Sequence, residues 1–428
     1  METQTVCRSI GTVSFGYSLA FSPFLTPRFL APMIADVPLL AQLEAFQTNF
    51  DSIQHLISPW YVWPQQTTVH MVVNNVHERD GVGNFVIALY KLMQRHGVPC
   101  QLYAEGYEPY LADLVYPLER LADQVKPSDI VIVHFSIYLP QLEQIAALTC
   151  CKVLCFYGIT PPEFLAAFEP TLADQCQRGY DQGPVTQDFE LKAAISEASA
   201  ATYRSMLGQA DVPVAIIPPV LDPKKWDAIA ATAVELPAAP RKFLYVGRVV
   251  PHKKIEDLIH LYGEYAALDP DSCLLIAGFN GFHTYQPALQ AALESQSEAV
   301  RARIHFLGSV TDGQLKSLYQ QADAFWMMSE HEGFCIPLLE AMAFDLPVFA
   351  FAQTAVRETL AEAGLVFYQK DMAQLAQVVH NTLFDAHQLQ QLLAGQRQRC
   401  QQLTVASDGR AIWRLLESCL QHIHASSI

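Results

Sequence analysis

From residue 67 onward, short runs of Val, Ile and Leu alternate with longer amphipathic stretches. VHMVV (69–73), CQLYAEG (100–106), DIVIVHF (129–135), KVLCFYG (152–158) and VAIIPP (214–219) read as buried strands, and FVIALYKLMQRHG (85–97) as a helix ending at Gly97. The Ala- and Pro-rich segment 227–241 reads as a connection. A second series follows: strands KFLYVGR, SCLLIAG, RIHFLG, AFWMM and PVFAF, with helices from Ile255 to Ala267, Asp312 to Gln321 and Ile336 to Ala343. Strands alternating with helices predict open parallel sheets. Two such series predict an α/β chain of two Rossmann-like domains facing across a cleft. In the last helix, Ser407 or Asp408 is the expected N-cap, and Ile412, Leu415, Leu416, Cys419, Leu420 and Ile423 form one apolar face.

The expected organisation is an N-terminal extension (1–66), a first Rossmann-like domain (67–238), a second (239–402) and a terminal helix (403–428) crossing back to the first. Within the extension, residues 1–36 are apolar without a clear period. Leu39, Leu43, Phe46, Phe50, Ile53 and Ile57 then recur at alternating spacings of four and three, a stripe suited to a dimer seam or a partner helix. The run is shorter than three heptads, which favours a helix packed on its own domain. No apolar run approaches the ~18 residues of a membrane span. Glu2 and the lone Arg8 make a poor signal peptide.

Charge narrows the function. The 428 residues carry 27 basic and 43 acidic side chains, a net of −16, with no Lys or Arg run beyond a pair. A nucleic-acid partner is not expected. Ten cysteines are spread along the chain, and the closest group, Cys150, Cys151 and Cys155, has no histidine in ligand spacing. Those of the CCKVLC run read as small buried hydrophobes, and reduced thiols fit the cytoplasm.

The chemistry concentrates in two places. SEHEGFCIPLLEAM (329–342) follows a strand and opens a helix. Free N–H groups at such a helix start suit a diphosphate or sugar hydroxyls, and a carboxylate two turns on can accept both hydroxyls of a ribose. YVGRVVPHKK (245–254) places Arg248 and Lys253 on the loop after a strand, where ligands of open α/β sheets bind. Two cations there can neutralise a diphosphate leaving group without a metal.

These blocks, with the stretch 304–334 and AVRETLAEAGLVF (355–367), resemble a family 4 glycosyltransferase with the two-domain GT-B fold. RDGVGNFVIALY, DIVIVHFS, ITPPEF and IPPVLD resemble one bacterial subgroup more weakly. The resemblance covers about residues 67–425 and is more specific in the second half. It implies a retaining, metal-independent transfer of a hexose-type sugar from a UDP- or GDP-type nucleotide sugar to a glycan, lipid-linked or protein acceptor, with no further cofactor. It also implies roles: Arg248 and Lys253 on the diphosphate, Glu332 on the donor sugar, Glu340 on the ribose. Gly247, Gly333, Phe334, Cys335 and Ile336 would line the pocket, with the base near Gly308, Ser309 and Val310. The loop Asp80-Gly81-Val82-Gly83 would approach the ligand from the first domain.

Two departures stand out. Where the subgroup carries a His-Asn pair, this chain has Tyr157-Gly158. A tyrosine is a poor proton acceptor at neutral pH, which brings His134 on the neighbouring strand forward as a second candidate. Asp345 stands where the family has a glycine, and aspartate tolerates a left-handed backbone better than most residues. The Asp269-Pro270-Asp271 string reads as a turn, not a manganese site. The competing function is a GT-B protein that binds a nucleotide sugar, or a partner transferase, without turnover. An epimerase or a phosphorylase on the same fold is a third reading; no pyridoxal-phosphate lysine context supports the phosphorylase. Residues 1–240 hold 13 basic and 24 acidic side chains, which argues against direct adhesion to anionic lipid and for any membrane approach through a partner.

Overall fold

The computed structural model describes residues 63–64, 66–76, 81–220 and 225–426. The helix expected near 39–57 lies outside them, as do nearly all of the extension and Asp80.

The first sheet has seven parallel strands in the order β3-β2-β1-β4-β5-β6-β7. They are β1 Val69–Val76, β2 Cys100–Tyr107, β3 Val115–Pro117, β4 Ile130–Phe135, β5 Cys151–Phe156, β6 Leu191–Ala194 and β7 Ala215–Ile216. Every residue of β4 and β5 is buried, as expected of strands covered on both faces. Helix α1 (Gly81–Arg95) buries Phe85, Val86, Leu89 and Met93 at helical spacing. Helix α2 (Glu197–Leu207) is capped by Ser196, whose side chain accepts from Ser199 N–H, and ends at left-handed Gly208.

The second sheet has six parallel strands in the order β10-β9-β8-β11-β12-β13. They are β8 Arg241–Val246, β9 Ser272–Ala277, β10 Ile304–Gly308, β11 Ala324–Met327, β12 Val348–Phe351 and β13 Leu365–Phe367. Its helices include α3 (Ile255–Leu268), α4 (Asp312–Gln321), α5 (Ile336–Ala343) and the short α6 (Ala355–Leu360). Strand order reverses between β1 and β4 and between β8 and β11. Those two switch points, at the carboxyl ends of the strands, are where such sheets open a crevice.

Three strands escape the sequence pattern. β3 is three residues long and ends in Pro117, β6 (LKAA) lacks β-branched residues, and β13 is again three residues long. The run VAIIPP contributes only two residues to β7, because Pro218 and Pro219 cannot donate to a ladder. The interdomain connection is held by the second domain: Lys316 Nζ donates to the carbonyls of Trp226 and Ile229, and Thr232 N–H to Gly313 O.

Helices α7 (Ala386–Ala406) and α8 (Arg410–Ser426) are separated at Gly409, with φ 89°. Of the two cap candidates, Asp408 accepts from Arg410 N–H at 2.9 Å, while Ser407 is buried. α8 returns to the first sheet's side: Trp413 meets His96 edge-on at 5.0 Å, and Gly409 faces Leu92. Asp345 does adopt a left-handed backbone, φ 62°, and its carboxylate takes a two-bond fork from Arg397 at 2.8 and 2.6 Å. A glycine there could not tie α5 to α7 in this way.

Candidate active site

The second domain builds the site at its switch point. β8 ends at Val246, and Gly247 donates its N–H to Ala277 O at 2.9 Å. A Cβ on Gly247 would collide with the Tyr245 hydroxyl. That hydroxyl instead donates to Arg248 O, turning the chain so that the Arg248 side chain is exposed at the strand end. A short turn, Pro251–Lys253, then points Lys253 inward. Its Nζ meets Glu332 Oε2 at 2.5 Å. Glu332 is 8% exposed, and Oε1 has no partner among the described residues. A buried polar oxygen without a donor is costly unless a ligand supplies one.

Beyond Glu332 the backbone rises through Gly333 and Phe334 to Cys335, left-handed at φ 70°, and enters α5 at Ile336. Two threonines fix this loop: Glu332 N–H donates to Thr354 Oγ1 at 2.8 Å, and the Thr359 hydroxyl donates to Phe334 O. A Cβ on Gly333 would lie 2.4 Å from Tyr157 O and 3.1 Å from Ile195 Cδ1. Gly333 is therefore one point at which the two domains touch. The glycine serves that approach as well as any ligand contact.

Glu340 sits on α5, where Tyr319 of α4 donates to Oε2 at 2.9 Å and Lys225 Nζ lies 3.7 Å from Oε1. Burial raises its pKa, opposed by Lys225 and the Tyr319 hydrogen bond. Phe344 stacks on Tyr319 at 5.2 Å and holds that hydroxyl in place. Gly308, with φ 65°, accepts from Gly278 N–H, and half-buried Val310 follows it on the same rim.

The first domain faces this rim with the start of α1 and the ends of β4 and β5. Gly81 and Gly83 lie in the first turn of α1, not in a loop before a helix at Phe85. Among the described residues, nothing stands within 4 Å of a Cβ on Gly81. Tyr157 and His134 lie at these strand ends. Tyr157 is 5% exposed and His134 1%, and they are bonded to each other, Nδ1 to hydroxyl, at 2.7 Å. Phe85 packs edge-on against both rings. Burial drives the His134 pKa down to about 3 and raises that of Tyr157 well above 10, so both are neutral near pH 7. The pair is buried among the described residues, and His134 Nε2 has no hydrogen-bond partner there.

Sequence reasoning missed several contributors. Lys225 and Tyr319 hold Glu340, Thr354 holds the Glu332 backbone, and Thr359 holds the Phe334 carbonyl. His331 sits between the acidic residues of the motif. Burial first, then Lys253, lowers its pKa to about 4, leaving a neutral imidazole against the cleft. Asp269 is confined to a turn: it pairs with Arg241 at 2.8 Å, and its carbonyl accepts from Ser272. That turn precedes β9, at the end of the strand opposite the carboxyl ends that carry the site. No cluster of three or more potential metal ligands occurs among the described residues.

Residues 230–399 match the family model described as glycosyl transferases group 1. Similar curated proteins include O-antigen chain mannosyltransferase B of Escherichia coli, 31% identical over 146 residues (33% of this chain, 36% of that protein). D-inositol 3-phosphate glycosyltransferase of Frankia alni is 28% identical over 159 residues (36% and 39%). These matches span little more than a third of the relatives' length. Among solved structures, the fold resembles WaaG, a glycosyltransferase involved in lipopolysaccharide biosynthesis, with TM-score 0.61 and 16% identity over 80% of this chain and 98% of that one. It also resembles Anabaena HepE in complex with UDP-glucose, with TM-score 0.60 and 16% identity over 82% and 99%. Two parallel-sheet α/β domains facing across a cleft agree with the GT-B fold expected from the sequence, and the match to glycosyl transferases group 1 falls on residues 230–399.

Proposed function

We propose that this chain is a retaining, metal-independent glycosyltransferase of the family 4 type. It takes a hexose-type sugar from a UDP- or GDP-sugar and passes it to a glycan, lipid-linked or protein acceptor. The observation that carries the reading is the convergence of Arg248, the Lys253–Glu332 pair and Glu340 on one strand-end rim, with a buried carboxylate oxygen left open beside them.

In this reading Glu340 accepts the ribose hydroxyls. Lys253 exchanges part of its hold on Glu332 for the arriving diphosphate, and exposed Arg248 turns onto the same group. Glu332 Oε1 then gains a sugar hydroxyl as its missing donor. As the bond to the anomeric carbon breaks, charge grows on the diphosphate, where both cations oppose it. A phosphate oxygen takes the proton of the acceptor hydroxyl, which attacks from the face the phosphate leaves. The first domain shapes the acceptor side through the start of α1 and Gly158.

A cytoplasmic location, with any membrane approach made through a partner, accords with the acidic first half. Among the described residues no helix is long and apolar enough to cross a membrane. The alternative is a nucleotide-sugar-binding partner of another transferase. One observation favours it: the two ionisable side chains at the ends of β4 and β5 are locked together, buried and neutral. A thermal-shift panel of UDP-, GDP- and ADP-sugars, followed by donor hydrolysis and transfer assays, separates the two. Stabilisation by one donor with hydrolysis supports the enzyme, and stabilisation with neither hydrolysis nor transfer supports the partner.

A further inference from the structure

Helix α2 of the first domain receives a carboxylate from the second. Glu358 Oε1 accepts from Glu197 N–H at 2.9 Å, and Oε2 from Ala198 N–H at 3.1 Å. These are the first two amides of α2, which have no intrahelical acceptor. Ser196 already caps the third amide, Ser199 N–H, at 3.0 Å. The helix therefore has its own cap and does not need Glu358 to form. The Ser199 hydroxyl in turn reaches Gly333 O at 3.4 Å. One helix start thus touches the second domain twice, once at Glu358 and once at the sugar-site loop.

Glu358 is not a free surface side chain. Its own carbonyl accepts from Arg399 at 2.7 Å, and the next carbonyl, that of Thr359, accepts from the same guanidinium at 2.9 Å. It lies on the six-residue α6, bounded by Thr354 at φ 46°, ψ −128° and Ala361 at φ 50°, ψ −117°. Such backbone is rare outside glycine and persists where the surroundings impose it. The ends of α6 do impose it: Thr354 holds Glu332 N–H, and Thr359 holds Phe334 O. The same short helix grips the donor-sugar loop at both sides and, between those grips, extends Glu358 to the other domain.

We propose that Glu358 is the closure latch of the cleft. It is a positioning residue that caps α2 only when the domains meet, so that closure and the placement of Glu332 and Gly333 are one event. The proposal rests on the transferase reading for its effect on turnover, though not for the contact itself. Free helix-start amides favour a carboxylate on both hydrogen-bonding and dipole grounds. The contact is partly exposed, so the bias it gives toward the closed state is moderate.

The test is deuterium uptake of the peptide spanning residues 195–200, in the full chain with and without UDP, for the native protein and Glu358→Ala. Glu358→Ala is expected to speed exchange at the amides of Glu197 and Ala198 and to leave that of Ser199 slow. Glu197→Pro gives a second route. It removes one of the two donors at a position where proline suits a helix start, following an extended Ser196. In a transfer assay both variants should lower kcat by about fivefold to tenfold with unchanged thermal stability, and the double variant should be no worse than Glu358→Ala alone. Glu358→Gln should recover part of the rate. Equal uptake in native and Glu358→Ala protein, or additive losses in the double variant, overturns the latch. Accelerated exchange in a chain that transfers no sugar upholds the latch and removes the transferase reading instead.

Discussion

Lys253 and Glu332 form an ion pair whose carboxylate is open on one side: Nζ lies 2.5 Å from Oε2, and Oε1 is buried without a partner among the described residues. A pair satisfied at both oxygens would be a structural strut. This one is poised for a further donor, and the motif spacing around Glu332 does not reveal the difference.

Arg248 and Lys253, two cations five residues apart on one loop, should part company in stability. Lys253→Ala strands a buried carboxylate and should cost roughly 3 kcal/mol, the low end for a buried pair, because Lys253 keeps 16% exposure. Arg248→Ala removes an exposed side chain and should stay within about ±0.5 kcal/mol. Denaturant titration of both variants checks this, and an equal loss in the two would remove the structural distinction.

Glu340 should trade stability against binding. Burial holds its folded pKa above the unfolded value, so its contribution favours the fold below the unfolded pKa and is lost as pH rises through the folded one. At neutral pH, Glu340→Gln should therefore raise the melting temperature of the free chain while weakening nucleotide affinity. For the native protein, affinity should fall on acidification at a pH above the usual carboxylate range. Calorimetric titration from pH 7 to 4.5 reads both effects, and a stabilised Glu340→Gln that binds nucleotide normally would contradict the ribose role.

The buried pair His134 and Tyr157 should be silent in the pH profile. His134, with a pKa near 3, stays neutral across the working range, and Tyr157 stays protonated. Tyr157→Phe should destabilise by about 1–3 kcal/mol, since it leaves His134 Nδ1 buried without its partner. It should alter turnover only a few-fold. A loss of a hundredfold or more at unchanged stability would return Tyr157 to the reacting groups.

In the proposed reading Arg248, Lys253 and the start of α5 oppose the diphosphate charge, so transfer should persist in excess EDTA. Activity lost to EDTA and restored by manganese would contradict this. The Asp269–Arg241 pair is too far along the sheet to take part without unmaking the turn before β9.

Most of the framework was legible because strand and helix periods repeat in it. α4 and α5 begin and end at the residues their patterns predict, Asp312–Gln321 and Ile336–Ala343. Pattern reading failed where elements are too short to show a period, as in β3 and β13, or where proline cuts a run, as at β7. The acidic and basic site residues were visible because they fall in motif blocks. Their supports were not. Thr354 and Thr359 act through hydroxyls on a helix that folds back onto the loop, and Glu358 through backbone amides 160 residues away. Such contacts depend on tertiary position and leave no local trace. Tyr157 was legible as a departure, but burial, not sequence, shows that its hydroxyl turns toward His134.

The central claim is that Arg248 and Lys253 face the charge that grows on a leaving diphosphate. The most direct measurement is the release rate of nucleoside diphosphate from the preferred nucleotide sugar by native chain, Arg248→Ala, Arg248→Lys and Lys254→Ala. Arg248→Ala should fall about a hundredfold, and Arg248→Lys should recover only part, lacking the planar fork. Lys254, which pairs with Glu256 and Glu330 at 3.6 Å, should be nearly neutral when removed. Near-native release by Arg248→Ala, or no release by the native chain from any donor it binds, would contradict the account and leave a nucleotide-sugar-binding partner in its place.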